Sequence, residues 1–222
     1  MGQIIELTAA DGHRLSAYRA EPAGKPRGAI VVIQEIFGVN DHIRKVADGY
    51  AAEGYVAIAP ALFDRIRPGI EIGYSMAEIQ EGFGYKTGSS TENALKDIEA
   101  AVKAAAPAGK VGIVGYCWGG FLSWMSAAGV PGLAASAPYY GGGVPDAADE
   151  QPKCPVMLHF GEKDSYIPMD GVAKLKAAHP SQTVHVYDAD HGFNCDQRGS
   201  WHEPSATLAR QRTLEFFRKY VG

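Results

Sequence analysis

Three short apolar runs set the frame for this chain. Residues 29–34 (AIVVIQ), 55–59 (YVAIA) and 110–115 (KVGIVG) are rich in β-branched residues and almost free of charge. Runs without polar alternation mark strands buried on both faces. Segments with helical spacing lie between them. In residues 41–53, Ile43, Val46, Ala47, Tyr50 and Ala51 form one stripe, and Gly54 follows as a C-cap. Residues 91–105 read as the next helix, with Glu92 in its first turn.

The same alternation continues to the C-terminus. Helices are expected over residues 118–128, 169–178 and 205–220, and strands over 134–139, 155–160 and 183–187. Two short strands, 4–8 and 15–19, precede the first buried run, joined by a turn at Asp11-Gly12. Residues 60–90 are the least regular stretch, with Pro68, five glycines and one short helix near 76–82. Strands alternating with helices along the whole length give an α/β class, with a mostly parallel central sheet and helices on both faces. The expectation is a single domain over residues 1–222. A chain of 222 residues buries roughly 70% of its unfolded surface, enough for a core without disulfides or a structural metal.

Charge and cysteine count narrow the function classes. Twenty-one Lys and Arg against 25 Asp and Glu give a net charge of −4 with no basic block, which argues against nucleic-acid or anionic-membrane partners. No apolar run approaches the ~18 residues of a membrane span. The start, Met1-Gly2-Gln3-Ile4-Ile5-Glu6, lacks the features of a secretory leader. The three cysteines, Cys117, Cys154 and Cys195, include no CxxC pair, so a disulfide framework is not expected. These readings point to a cytoplasmic protein.

In open parallel sheets, ligands bind beyond the C-terminal ends of the strands. The loop after residues 110–115 reads Gly115-Tyr116-Cys117-Trp118-Gly119-Gly120. It has the form of a nucleophile elbow with Cys in place of Ser. The elbow is a strained strand-to-helix turn, and glycines two residues either side remove side chains that would collide there. It also sets Cys117 at a helix N-terminus, which favours a thiolate. A nucleophile needs a base, and the base needs an orienting acid. Asp164 lies just past the strand at 155–160 and His191 just past the one at 183–187. Asp188 and Asp190 are rival acids, but they sit on the same loop as His191 and would reach its Nδ1 awkwardly. A metal set of His191, Cys195, Asp196 and His202 has spacings that match no compact ligand pattern.

Gln34-Glu35-Ile36-Phe37-Gly38-Val39-Asn40, the elbow block, Gly161-Glu162-Lys163-Asp164 and His191-Gly192-Phe193 together resemble the dienelactone hydrolase (carboxymethylenebutenolidase) family over essentially the full length. The resemblance implies an α/β-hydrolase fold without a separate lid domain and a Cys117–His191–Asp164 triad. It implies that Glu35 contacts the resting thiol and takes its proton. Burial disfavours the charged form of a carboxylate, which gives such a role a physical basis. The backbone N–H groups of Ile36 and Trp118 would form the oxyanion hole.

The best-known members hold a substrate carboxylate with two arginines. Here residues 69–98 contain no Arg, and the first Arg after His191 is Arg198. Arg198, Lys86, Arg65 and Arg67 are the remaining cations for such a role, against their ordinary reading as surface charges. Tyr85, Phe37 and Tyr139, with Trp118 and Trp201, are candidates to line the pocket. The function expected is hydrolysis of a small activated ester or lactone through a Cys117 acyl-thioester, by a monomer or homodimer that needs no cofactor or metal. The rival readings are a non-catalytic ligand-binding scaffold, a thiol esterase acting on an unrelated ester, and a redox-sensing thiol protein.

Overall fold

The computed structural model describes residues 2–222, so Met1 lies outside it. Eight strands form one sheet: β1 (Gln3–Thr8), β2 (Arg14–Ala20), β3 (Ala29–Ile33), β4 (Val56–Pro60), β5 (Val111–Tyr116), β6 (Leu133–Tyr139), β7 (Met157–Gly161) and β8 (Thr183–Tyr187). Their order is β1-β2-β4-β3-β5-β6-β7-β8. β1 and β2 enter antiparallel, and every pairing from β4 to β8 is parallel.

The apolar runs explain the centre. All residues of β3, β4 and β5 are buried. Alternate residues of β3 serve opposite faces, as a pleated strand requires. Ile30 and Val32 join the core beneath α1 (Asp41–Ala52), α5 (Met169–Ala178) and α6 (Glu203–Tyr220). Ala29, Val31 and Ile33 join the core beneath α3 (Thr91–Ala105). α4 (Trp118–Gly129) sends Trp124 into the first core and Leu122 into the second.

The irregular middle differs from expectation. α2 runs from Met76 to Gly88, 13 residues, six beyond the end expected at residue 82. Its start is fixed by a capping box, Ser75 accepting from the Glu78 N–H while Glu78 accepts from Ser75. Gly82 and Gly84 lower its helix propensity, which is why the pattern fades early in the sequence. Gly82 is its one buried residue.

Candidate active site

Parallel register brings the strand ends together. Ile33 pairs with Gly115, and Gly161 pairs with Tyr187. The loops leaving β3, β5, β7 and β8 therefore carry Glu35, Cys117, Asp164 and His191 to one edge of the sheet.

Cys117 is the strained point of the elbow, with φ 55° and ψ −116°. A non-glycine residue with positive φ is held there only by its surroundings. Its N–H donates to the Tyr139 carbonyl at 3.0 Å, carrying the β5–β6 pairing into the turn. The flanking glycines meet the steric demand expected of them. A Cβ on Gly115 would lie 2.0 Å from the Gly119 carbonyl oxygen, and one on Gly119 would lie 2.4 Å from that of Gln34. The close crossing packs the start of α4 onto the end of β3.

His191 Nδ1 stands 2.7 Å from Asp164 Oδ2, and both side chains are buried. Asp164 Oδ1 accepts from the Tyr166 N–H at 2.9 Å, so the carboxylate is fixed on both oxygens. The rival acids are otherwise engaged: Asp190 accepts from the backbone N–H of His191, and Asp188 pairs with Lys163. Tyr140 and Tyr166 pack edge-on against the imidazole at 5.2 and 5.3 Å. Burial alone pushes His191 toward its neutral form. The charge of Cys117 and hydrogen bonds with Asp164 and Cys117 outweigh it and raise the imidazole to about 10. Burial pushes the Cys154 thiol up to about 11 and the Cys195 thiol to about 12, leaving both protonated at neutrality.

A cleft of about 160 Å³ opens over these groups, lined by Ile36, Phe37, Cys117, Trp118, His191 and Arg198. One wall comes from α2, through Met76, Ile79, Phe83 and Lys86. That spacing, i, i+3, i+7 and i+10, is a helical stripe. The same stripe is present in the sequence once the helix extends past residue 82.

Three candidates for the pocket lie elsewhere. Tyr85 leaves α2 on a different side, its ring 5.5 Å from Phe63 and its hydroxyl bonded to Glu81 and Arg67. Tyr139 is buried beneath the sheet edge, with its hydroxyl 2.7 Å from Thr213 Oγ1. Strand alternation turns it into the core. Trp201 borders a separate cavity beside His42 and Asp196. Among the cations, Arg65 forms an internal pair with Asp97, whereas Lys86 and Arg198 reach the cleft.

Glu35 is 1% exposed. Its Oε1 lies 3.2 Å from Arg198 Nη1, and its Oε2 has no hydrogen-bond partner. Arg198 also sits 5.5 Å over the Phe37 ring. The metal set considered from sequence is not assembled: His191 faces Asp164 and His202 faces Ser205. Cys195 instead approaches Glu35 and His42, whose ligand atoms and its own lie within 4.8 Å of one another, a set able to hold an ion.

A cysteine elbow on the fifth strand, an acid after the seventh and a histidine after the eighth, on this strand order, make the protein an α/β-hydrolase. The family model for the dienelactone hydrolase family matches residues 15–221, and the chain belongs to that family. A carboxymethylenebutenolidase of Pseudomonas putida is 34% identical, over 96% of this chain and 94% of its own. A Synechocystis sp. protein provisionally assigned the same name is 36% identical, over 92% of this chain and 91% of its own. A solved structure from Klebsiella pneumoniae, provisionally assigned as a dienelactone hydrolase, superposes with a TM-score of 0.86 at 33% identity, covering 99% of this chain and all of the other. The chain is thus a hydrolase of the carboxylic-ester class. No helix among the described residues is long and apolar enough to cross a membrane.

Proposed function

We infer that this hydrolase opens small activated esters or lactones through an acyl-thioester on Cys117. The observation that carries the reading is the Asp164–His191 pair, whose imidazole is raised to about 10 chiefly against burial by the charge of Cys117. Such an imidazole stays protonated at neutrality beside a thiolate, the form in which a cysteine attacks.

The steps follow from the groups present. The Cys117 thiolate adds to the substrate carbonyl. The oxyanion is met by the N–H of Trp118, at the free N-terminal turn of α4, and by that of Ile36. The C–O bond then breaks, and the leaving enolate or alkoxide takes the His191 proton. The thioester carries no charge, so the main influence holding His191 protonated disappears once acylation is complete. The neutral imidazole then takes a proton from water, whose oxygen adds to the thioester carbonyl, and the C–S bond breaks to release the acid and leave the thiolate beside the protonated imidazole. Glu35 is the group that takes the proton when Cys117 is in its thiol form, which makes the thiolate, and its unpartnered Oε2 is the oxygen available for that.

The cleft supports a substrate with a compact apolar body, against Phe37, Met76, Ile79 and Phe83, and an anionic end near Lys86 or Arg198. An anionic group on Arg198 would loosen its hold on Glu35. The carboxymethylenebutenolidase name of the P. putida relative makes an enol-lactone the first substrate to try. The test is a panel of p-nitrophenyl acetate, cis- and trans-dienelactone and saturated lactones. Hydrolysis should fall by roughly 10³-fold or more in Cys117→Ala and His191→Ala. An unchanged rate in Cys117→Ala on the best substrate sinks the acyl-thioester.

A further inference from the structure

We propose that Glu35, His42 and Cys195 form a second site behind the cleft, which binds one borderline divalent cation of zinc-like preference. The three offer one oxygen, one nitrogen and one sulfur within 4.8 Å of one another. All are buried, at 1%, 4% and 0% exposure. In a tetrahedral zinc site such atoms stand about 3.5 Å apart, so an ion needs to draw them in by only about 1 Å.

Two independent features aim at a ligand. Glu35 Oε2 and His42 Nε2 are buried and have no hydrogen-bond partner. Buried polar atoms are seldom left so. The outer contacts also suit metal binding. His42 Nδ1 lies 3.4 Å from Asp196 Oδ1. A carboxylate behind one ring nitrogen orients a histidine to ligate through the other. Next to Cys195, the Tyr74 hydroxyl accepts from Asn40 Nδ2 at 3.0 Å. A donor set of thiolate, imidazole and carboxylate favours Zn²⁺ or Co²⁺ over the hard cations Ca²⁺ and Mg²⁺. Entry runs through the cavity bordered by His42, Asn194, Asp196 and Trp201.

Binding displaces the Cys195 thiol proton to solvent and forms bonds from the ion to Glu35 Oε2, His42 Nε2 and Cys195 Sγ. Glu35 Oε1 stays with Arg198. Resting on the reading of Glu35 above, the filled site takes away the oxygen that draws the Cys117 proton, so the ion acts as an inhibitor.

Cobalt titration of the metal-free full chain tests this without substrate. Wild type and Cys117→Ala should each bind one equivalent and gain a near-ultraviolet thiolate-to-cobalt band. Cys195→Ala should lack the band, His42→Gln should bind at least ~100-fold more weakly, and Asp196→Asn about 10-fold more weakly. Metal-free Cys195→Ala and His42→Gln should hydrolyse p-nitrophenyl acetate as wild type does, which certifies their folding. No band in wild type, a band surviving in Cys195→Ala, or loss of the band in Cys117→Ala overturns the site. Saturating Zn²⁺ should slow wild-type hydrolysis at least ~10-fold and leave Cys195→Ala unaffected. One equivalent of cobalt bound without inhibition supports the site and counts against Glu35 as the proton acceptor.

Discussion

Removing the sulfur of Cys117 should change the acidity of a residue 74 positions away in sequence. His191 ordinarily titrates near 6.5, and here it is raised to about 10. At 1.36 kcal/mol per pKa unit, that elevation corresponds to about 5 kcal/mol favouring the imidazolium. Burial works against it, and the Cys117 charge with the Asp164 and Cys117 hydrogen bonds works for it. Two unit charges ~4 Å apart interact by about 4 kcal/mol at an effective dielectric of ~20. Loss of the thiolate should therefore lower the imidazole by roughly two to three units, to near neutrality. The sign is that of a raised base: wild-type His191 holds its proton through pH 8 and releases it near 10, whereas in Cys117→Ala it is largely neutral by pH 8. The assay is a pH titration of histidine-labelled protein by ¹H–¹⁵N NMR, with His191→Gln identifying the signal. Equal midpoints in wild type and Cys117→Ala would refute the charge coupling, and with it the resting thiolate–imidazolium pair.

Three further outcomes follow from the same geometry. Iodoacetamide at pH 7.5 should label Cys117 alone in the folded protein, as read by peptide mass spectrometry, because burial keeps Cys154 and Cys195 protonated; labelling of all three at similar rates would contradict this. Phe83→Ala should raise KM for aryl esters about fivefold with kcat nearly unchanged, a loss of about 1 kcal/mol for a ring that is already 40% exposed; a fall in kcat alone would remove Phe83 from the binding wall. His159 is buried between Tyr187 and Thr213, and burial holds it well below the usual imidazole range. Its protonation therefore favours the unfolded chain, so stability falls as pH drops below about 6.5, by up to ~1.4 kcal/mol per unit. Denaturant melts of His159→Gln between pH 7 and 5 should show a shallower slope, and an equal slope would assign the acid loss elsewhere.

The parts of the fold that the sequence announces are those governed by local pattern. β-branched runs place β3, β4 and β5 within a residue or so, because nothing but a two-sided burial tolerates AIVVIQ. The elbow and the residues after β7 and β8 are equally local, since glycine spacing and strand ends mark them. The Glu35–Arg198 pair spans 163 positions and has no sequence trace, so Arg198 looked like any surface charge. The place of Tyr139 in the core is hidden from the sequence for a related reason. The final residue of a strand can point to either face, and only its contact with Thr213 decides. α2 escaped full reading because its one closely packed position is a glycine, which carries no apolar signal.

That thin attachment of α2 has an evolutionary consequence. The helix buries only Gly82, where a Cβ would come within 2.5 Å of the Ile36 carbonyl oxygen, yet it supplies four of the groups that line the cleft. Met76, at 72% exposure, and Phe83 can therefore be exchanged with little penalty to folding. Selection can retune what the protein accepts along this one helix while the strand ends that hold the chemistry stay untouched. The fold separates the inherited reaction from its adjustable vocabulary of substrates, and Gly82 is the position at which the two are joined.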